Sequence, residues 1–140
     1  MSQKESLLSG RTALITGASR GIGLAIAEAY ARNGANLILS ATKETSLEKA
    51  KHSLSKYDVE ISYFAVDLAD MDEVDRLFSF CIEREPILDT LINNAGIHIG
   101  KPFTEYEMDE FDRLMRINVY SVFRLTQLAI DHMQTIGRGK

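Results

Sequence analysis

One cysteine, Cys81, occurs in 140 residues, so the chain can form neither an internal disulfide nor a cysteine-built metal site. Three histidines, His52, His98 and His132, have no partners at metal-ligand spacing, and no metal is expected. Basic charge is short as well: 16 Lys and Arg stand against 20 Asp and Glu, and the signs are interspersed. A nucleic-acid binder held by a basic face needs the opposite balance, so no nucleic-acid partner is expected. No apolar run is long enough to span a bilayer, and the polar residues 1–10 lack the apolar core of a signal peptide. The expected setting is the cytoplasm, away from membranes. Repeats, linkers and low-complexity segments are also missing. What is present is ordinary for a globular protein: 45% hydrophobic and 26% charged residues, enough for one domain over 1–140.

The most informative stretch is Thr16-Gly17-Ala18-Ser19-Arg20-Gly21-Ile22-Gly23. Before it, Arg11 to Ile15 reads as a short buried strand. After it, Ile22, Ala25, Ile26, Ala29 and Tyr30 fall on one face of a helix. A strand, a glycine-rich turn and a helix make a phosphate cradle. Glycines let the backbone turn tightly and let a pyrophosphate approach without meeting a Cβ. The first amides of the helix have no internal acceptors and sit at the positive end of its dipole, so they suit an anion. The spacing is G-x-x-x-G-x-G rather than the usual G-x-G-x-x-G; the competing reading is a turn with no ligand.

Taken in order, residues 1–10 read as a loose lead-in, and the first helix stops at Asn33-Gly34. Asn36 to Ser40 is a second strand. Thr45-x-x-Glu48 resembles a capping box, opening a helix with Leu47, Ala50 and Leu54 inward. Val59 to Val66 is a third strand. Asp70 starts a helix that buries Val74, Leu77, Phe78 and Cys81 and ends by Pro86. Leu88 to Ile92 is a fourth strand, running into Asn93-Asn94-Ala95-Gly96. Thr104-x-x-Glu107 opens a last helical region to about Ile136, with a possible break. Its stripe carries Phe111, Leu114, Met115, Asn118, Val122, Thr126, Ala129 and Met133. Ile117, Tyr120, Phe123 and Leu128 broaden the apolar surface beyond one face, which implies cover on two sides, by the sheet and by a second subunit. Alternating strands and helices imply an α/β fold, a Rossmann-type doubly wound parallel sheet of order 3-2-1-4, with ligands at its carboxyl edge.

Candidate ligand groups gather at that edge. After the second strand stands Ser40-Ala41-Thr42-Lys43, with no acid before Glu44 to repel a 2′-phosphate. Hydroxyl donors there, with Arg20 and Lys43, favour NADP(H) over NAD(H); the alternative is that both cations are merely solvated. Asp67 is placed to accept from an adenine amino group, or else to cap the next helix, a task for which Asp70 is better placed. In Asn93-Asn94-Ala95-Gly96, small residues admit a ring or ribose and amides tie strand ends together, unless the segment is a plain turn. Asn118, on an apolar stripe, either satisfies a local carbonyl or marks a helix interruption holding a water for proton transfer. His52 and His132 read as surface positions, His98 as a loop residue, and Tyr120 with Arg124 as an interface or core edge.

Together, the glycine loop, Asp67-Leu68, Asn93-Asn94-Ala95-Gly96 and Asn118-Val119 resemble the classical short-chain dehydrogenase/reductase family over nearly the whole chain. Ser40-Ala41-Thr42 and Asn118 to Leu125 are most similar to its NADP-dependent 3-oxoacyl-acyl-carrier-protein reductases. The resemblance implies that Gly17, Ala18, Ser19, Arg20, Gly21, Ile22 and Gly23 hold the pyrophosphate, with Arg20 on the 2′-phosphate. It implies Thr42, Asp67, Leu68, Asn94, Ala95 and Gly96 as further cofactor contacts, and Asn118 as support for a proton relay. The implied reaction is reversible hydride transfer between nicotinamide and a carbonyl or alcohol. The family's catalytic serine and Tyr-x-x-x-Lys come later in the chain than Lys140, and none of the five tyrosines here has a lysine four residues on. The chain is therefore expected to be the cofactor-binding part of a longer reductase, inactive alone. The alternatives are a non-catalytic nucleotide-binding or dimerising module, or an NAD-dependent alcohol dehydrogenase of the same family.

Overall fold

The computed structural model describes residues 6–140. Four parallel strands form one sheet: β1 (Thr12–Thr16), β2 (Asn36–Ala41), β3 (Ile61–Ala65) and β4 (Thr90–Ile92), in the order β3-β2-β1-β4. Helices α1 (Gly21–Arg32), α2 (Glu44–Leu54) and α3 (Met71–Arg84) connect them, and α4 (Met108–Met115) and α5 (Ser121–Ile136) follow β4. The expected fold class and strand order are therefore both present. All five residues of β1 are buried, as a central parallel strand requires. Alternation divides its side chains. Ala13 and Ile15 pack with Leu37 and Leu39 under α1 and α2; Leu14 packs with Ile38 under α3 and α5.

Strand ends fall inside the expected bounds for β3 and β4, because parallel pairing and not side-chain type decides where the ladder stops. Helix α1 faces the sheet with Gly23, Ala27 and Ala31, whereas Ile22 is 74% exposed. The face expected from the larger apolar residues is thus rotated: small residues bring the helix close to the strands. Asn33 ends α1 and Gly34 follows at φ +88°, as expected. Helix α2 begins at Glu44 without a side-chain cap, so Thr45 is not its cap. Asp70 does cap α3, accepting from the amides of Asp72 and Glu73. Thr104 lies in a 3₁₀ turn (Phe103–Glu105); the capping box that opens α4 is formed by Glu107 and Glu110.

Burial pushes the Cys81 thiol up to about 12, so it is inert core filling. His132 is not a surface residue as expected: its Nε2 is buried and its ring meets Phe78 edge-on at 6.3 Å. Residues 6–10 are not loose, since the Leu8 amide donates to Asn33 and Leu8 packs on the core; the expectation for 1–5 lies outside the described residues. Beyond α5, Lys140 forms a parallel bridge on the outer edge of β4: its amide donates to Asp89 and its carbonyl accepts from Leu91. Among the described residues, no helix is long and apolar enough to cross a membrane.

Candidate functional site

The carboxyl ends of the strands open into a cleft of about 410 Å³, within the range of small-molecule sites. Its floor is the turn between β1 and α1. Gly17 and Gly21 have φ of +63° and +57°, conformations that side chains resist. A Cβ on Gly23 would lie 2.2 Å from the Gly17 oxygen and 2.6 Å from Asn94 Nδ2, so only glycine lets α1 start this close to the strands. The amides of Gly21, Ile22 and Gly23, the first turn of α1, have no protein acceptor among the described residues. Arg20, at the N-cap, supplies no side-chain cap, and the turn has no acid. The amides of Gly21 and Ile22, which line the cleft, therefore remain available to an anion, whereas Gly23 is buried outside the lining.

Gly17, Ser19, Arg20, Gly21 and Ile22 line the cleft. Ala18 does not: it is fully buried and its amide donates to Ser40. Thr42 lines the cleft with Ala41, but the Ser40 hydroxyl is buried and unavailable to a ligand, and Lys43 lies outside the lining. Of the groups expected to meet a 2′-phosphate, Arg20 and Thr42 line the cleft.

The opposite wall comes from β4. Asn94 Nδ2 donates to the carbonyls of Thr16, at 3.0 Å, and Gly17, at 3.1 Å. Thr16 Oγ1 in turn accepts from the amides of Asn94 and Ala95. This stitching holds the β1 and β4 ends together and sets Asn94, Ala95 and Gly96 on the cleft. The role of Thr16 is missed by sequence reasoning; a hydroxyl directly after the apolar run Ala13-Leu14-Ile15, at the glycine turn, is the signal that could have found it.

Asp67 and Leu68 line the third side, beyond β3. Asp67 does not cap α3. Its Oδ1 accepts from the Ala69 amide at 3.0 Å, and its carboxylate takes a two-pronged contact from Arg113 of α4. The Ala69 amide, and then the Arg113 guanidinium, hold its carboxyl below the usual carboxylate range.

Asn118 stands outside this lining. It sits in a five-residue π-turn, Arg116–Tyr120, between α4 and α5, which widens the helix locally without breaking it. Its side chain binds both backbone groups of Ile97, accepting from the amide and donating to the carbonyl, each at 2.8 Å. The carboxamide thus ties the loop after β4 to the helix. The last helical region points Ile117, Ser121, Leu125 and Ala129 inward, so the expected stripe is also rotated. Val119 and Phe123 are exposed, beside Val122 and Ile130, on an apolar outer face. Arg124 pairs with Asp75 of α3, at 2.7 Å, rather than with Tyr120.

A family model described as short chain dehydrogenase matches residues 11–140. The chain belongs to that family. Within the short-chain dehydrogenases it is 41% identical to gluconate 5-dehydrogenase of Gluconobacter oxydans over 134 residues, which cover 95% of this chain and 52% of that enzyme. L-sorbose reductase from Gluconobacter frateurii, solved with NADPH and L-sorbose, superposes with a TM-score of 0.91 at 33% identity, over 96% of this chain and 52% of that one. NAD⁺-bound xylitol dehydrogenase superposes with a TM-score of 0.89 at 30% identity, over 95% and 52%. The chain spans about half the length of the curated relatives it matches.

Proposed function

We propose that this chain is the cofactor-binding portion of an NADP(H)-dependent oxidoreductase that reversibly reduces a carbonyl to an alcohol. The observation that carries the reading is the unpartnered first turn of α1, whose Gly21 and Ile22 line an open cleft. A bound nicotinamide would supply or accept the hydride. The chain's own part is to hold and orient. Gly21 and Ile22 present amides to the pyrophosphate, and Arg20 with Thr42 receives the 2′-phosphate. Asp67 accepts from the adenine amine, while Leu68, Asn94, Ala95 and Gly96 bound the base and riboses. Asn118 fixes the loop over Ile97 and, in the whole enzyme, supports proton delivery through water in the π-turn. Sorbose reductase solved with NADPH supports this cofactor; xylitol dehydrogenase solved with NAD⁺ is what keeps NAD(H) as the second choice.

Titration with NADPH and NADH tests the reading, with NADPH expected to bind at least about tenfold more tightly because one charge-assisted phosphate contact is worth that much. Tighter NADH binding moves the assignment to the NAD-dependent branch, and binding of neither ends it. The 140-residue chain is expected to oxidise no NADPH with a small ketone, for want of the Tyr-x-x-x-Lys acid pair. A homo-oligomer joined through the outer face of α5 goes with the reading; sedimentation showing only monomer at micromolar concentration removes that part.

A further inference from the structure

Asp67 and Arg113 are 46 positions apart, on different elements, yet both line the cleft. Arg113 Nη1 donates to Oδ2 at 3.2 Å and Nη2 to Oδ1 at 3.3 Å. Oδ1 also accepts from the Ala69 amide. A carboxylate offers about four lone-pair sites. Two at Oδ1 are filled, one at Oδ2 is filled, and one at Oδ2 stays open. With Ala69 alone, one oxygen would be tethered and the other left to swing about a broad terminal torsion. The guanidinium fork removes that freedom, which a lysine could not do. Val66, Leu68 and Ile117 line the same cleft and give a flat base an apolar surface. The pair's own stabilising effect is small, because the Arg113 and Asp67 side chains are 51% and 43% exposed. Stability does not account for a two-pronged contact placed on the ligand wall.

The geometry points to Arg113 as a positioning residue for base recognition, fixing Asp67 so that its open acceptor site selects an amino-purine over a 6-oxo-purine. An exocyclic amine donates to that site. A 6-oxo group brings a second acceptor against it. The inference rests on the dinucleotide reading above and adds the residue that sets its base preference.

The test compares dissociation constants for NADP⁺ and for its hypoxanthine counterpart, in which the adenine amine is replaced by oxygen. The unaltered chain is expected to favour NADP⁺ by about tenfold, the scale of one hydrogen bond to a charged group. Arg113→Ala should weaken NADP⁺ by about five- to tenfold and the hypoxanthine dinucleotide less, so that their ratio falls toward one. Arg113→Lys should fall between. Asp67→Asn should collapse the ratio as well. A pH series gives a second readout. Asp67 accepts more strongly when ionised, so binding weakens as pH falls through its lowered pKa; without Arg113 that weakening should come at higher pH. Circular dichroism checks that each variant is folded. Equal weakening of both dinucleotides by Arg113→Ala, or an unchanged ratio, overturns the inference while the site reading stands. Binding of neither dinucleotide by the unaltered chain overturns both.

Discussion

The two ends of the sheet are closed in opposite ways. At the amino end of β4, Asp89 is 2% exposed; its carboxylate accepts from Thr90 at 3.0 Å and Arg11 at 3.4 Å and forms an ion pair with Arg138 at 2.9 Å. Arg138 also reaches the Gly10 carbonyl, so this cluster ties together both ends of the described chain. At the carboxyl end, Asn94 and Thr16 join β1 to β4, but the first turn of α1 keeps donors with no protein acceptor. One ladder thus ends in a buried ionic clamp and begins a ligand site at the other end. Groups that satisfy one another stabilise the fold and bind nothing; groups left unsatisfied contribute little to stability and wait for a partner.

The largest break in this contrast is Gly23→Ala, which acts on both sides of it. The added methyl would meet a backbone oxygen, which cannot move aside as a side chain can. We expect a loss of about 3 kcal/mol in urea unfolding, and NADPH binding beyond detection. Normal binding would show that the closeness of α1 to the strands is dispensable. Asp89→Ala should separate stability from binding. It removes two hydrogen bonds and the ion pair with Arg138 but returns two part-exposed arginines to water, so a cost of about 2 kcal/mol is expected, with an unchanged NADPH constant. Weakened binding would mean that the two ends are coupled through β1 and β4. Arg20→Ala should do the reverse: about tenfold weaker NADPH, with NADH binding and the unfolding midpoint unmoved. Equal weakening of both nucleotides would take Arg20 off the 2′-phosphate.

The same contrast explains what could be read in advance. Strand order, the glycine turn and Asp70 are local or follow from alternation, and a chain states such things in short windows. The face of α1 is not local. Ile22 is apolar and looks inward-facing, but it stands on an open cleft while Gly23, Ala27 and Ala31 meet the strands. The last helical region is apolar on two faces, so periodicity alone does not say which one meets the sheet. Asn118 announces itself as polar within an apolar stripe, yet its partner Ile97 depends on the path of the loop. Arg113 gives no local sign, since its meaning lies in Asp67, 46 residues earlier. The wrong cap at Thr45 has a simpler cause: a Thr-x-x-Glu spacing is common, and here the helix had already begun at Glu44.

Between the two ends of the sheet, Asp75 and Arg124 join α3 to α5, with bonds of 2.7 and 3.1 Å. The hydrogen bond from Arg124 holds the Asp75 carboxyl below its ordinary range. Both side chains are more than a third exposed, so water and salt screen the pair. The folded pKa is depressed, so the contribution is whole above the ordinary carboxylate value and is lost as pH falls through the folded one. Asp75→Asn should therefore shift the urea midpoint at pH 7 by no more than about 0.2 M, with no effect on NADPH binding. The difference from the unaltered chain should begin to shrink near pH 4, about where an unperturbed aspartate titrates, and shrink further toward pH 3. A gap that stays constant down to pH 3 would show that packing between α3 and α5, rather than charge, is what the substitution disturbs.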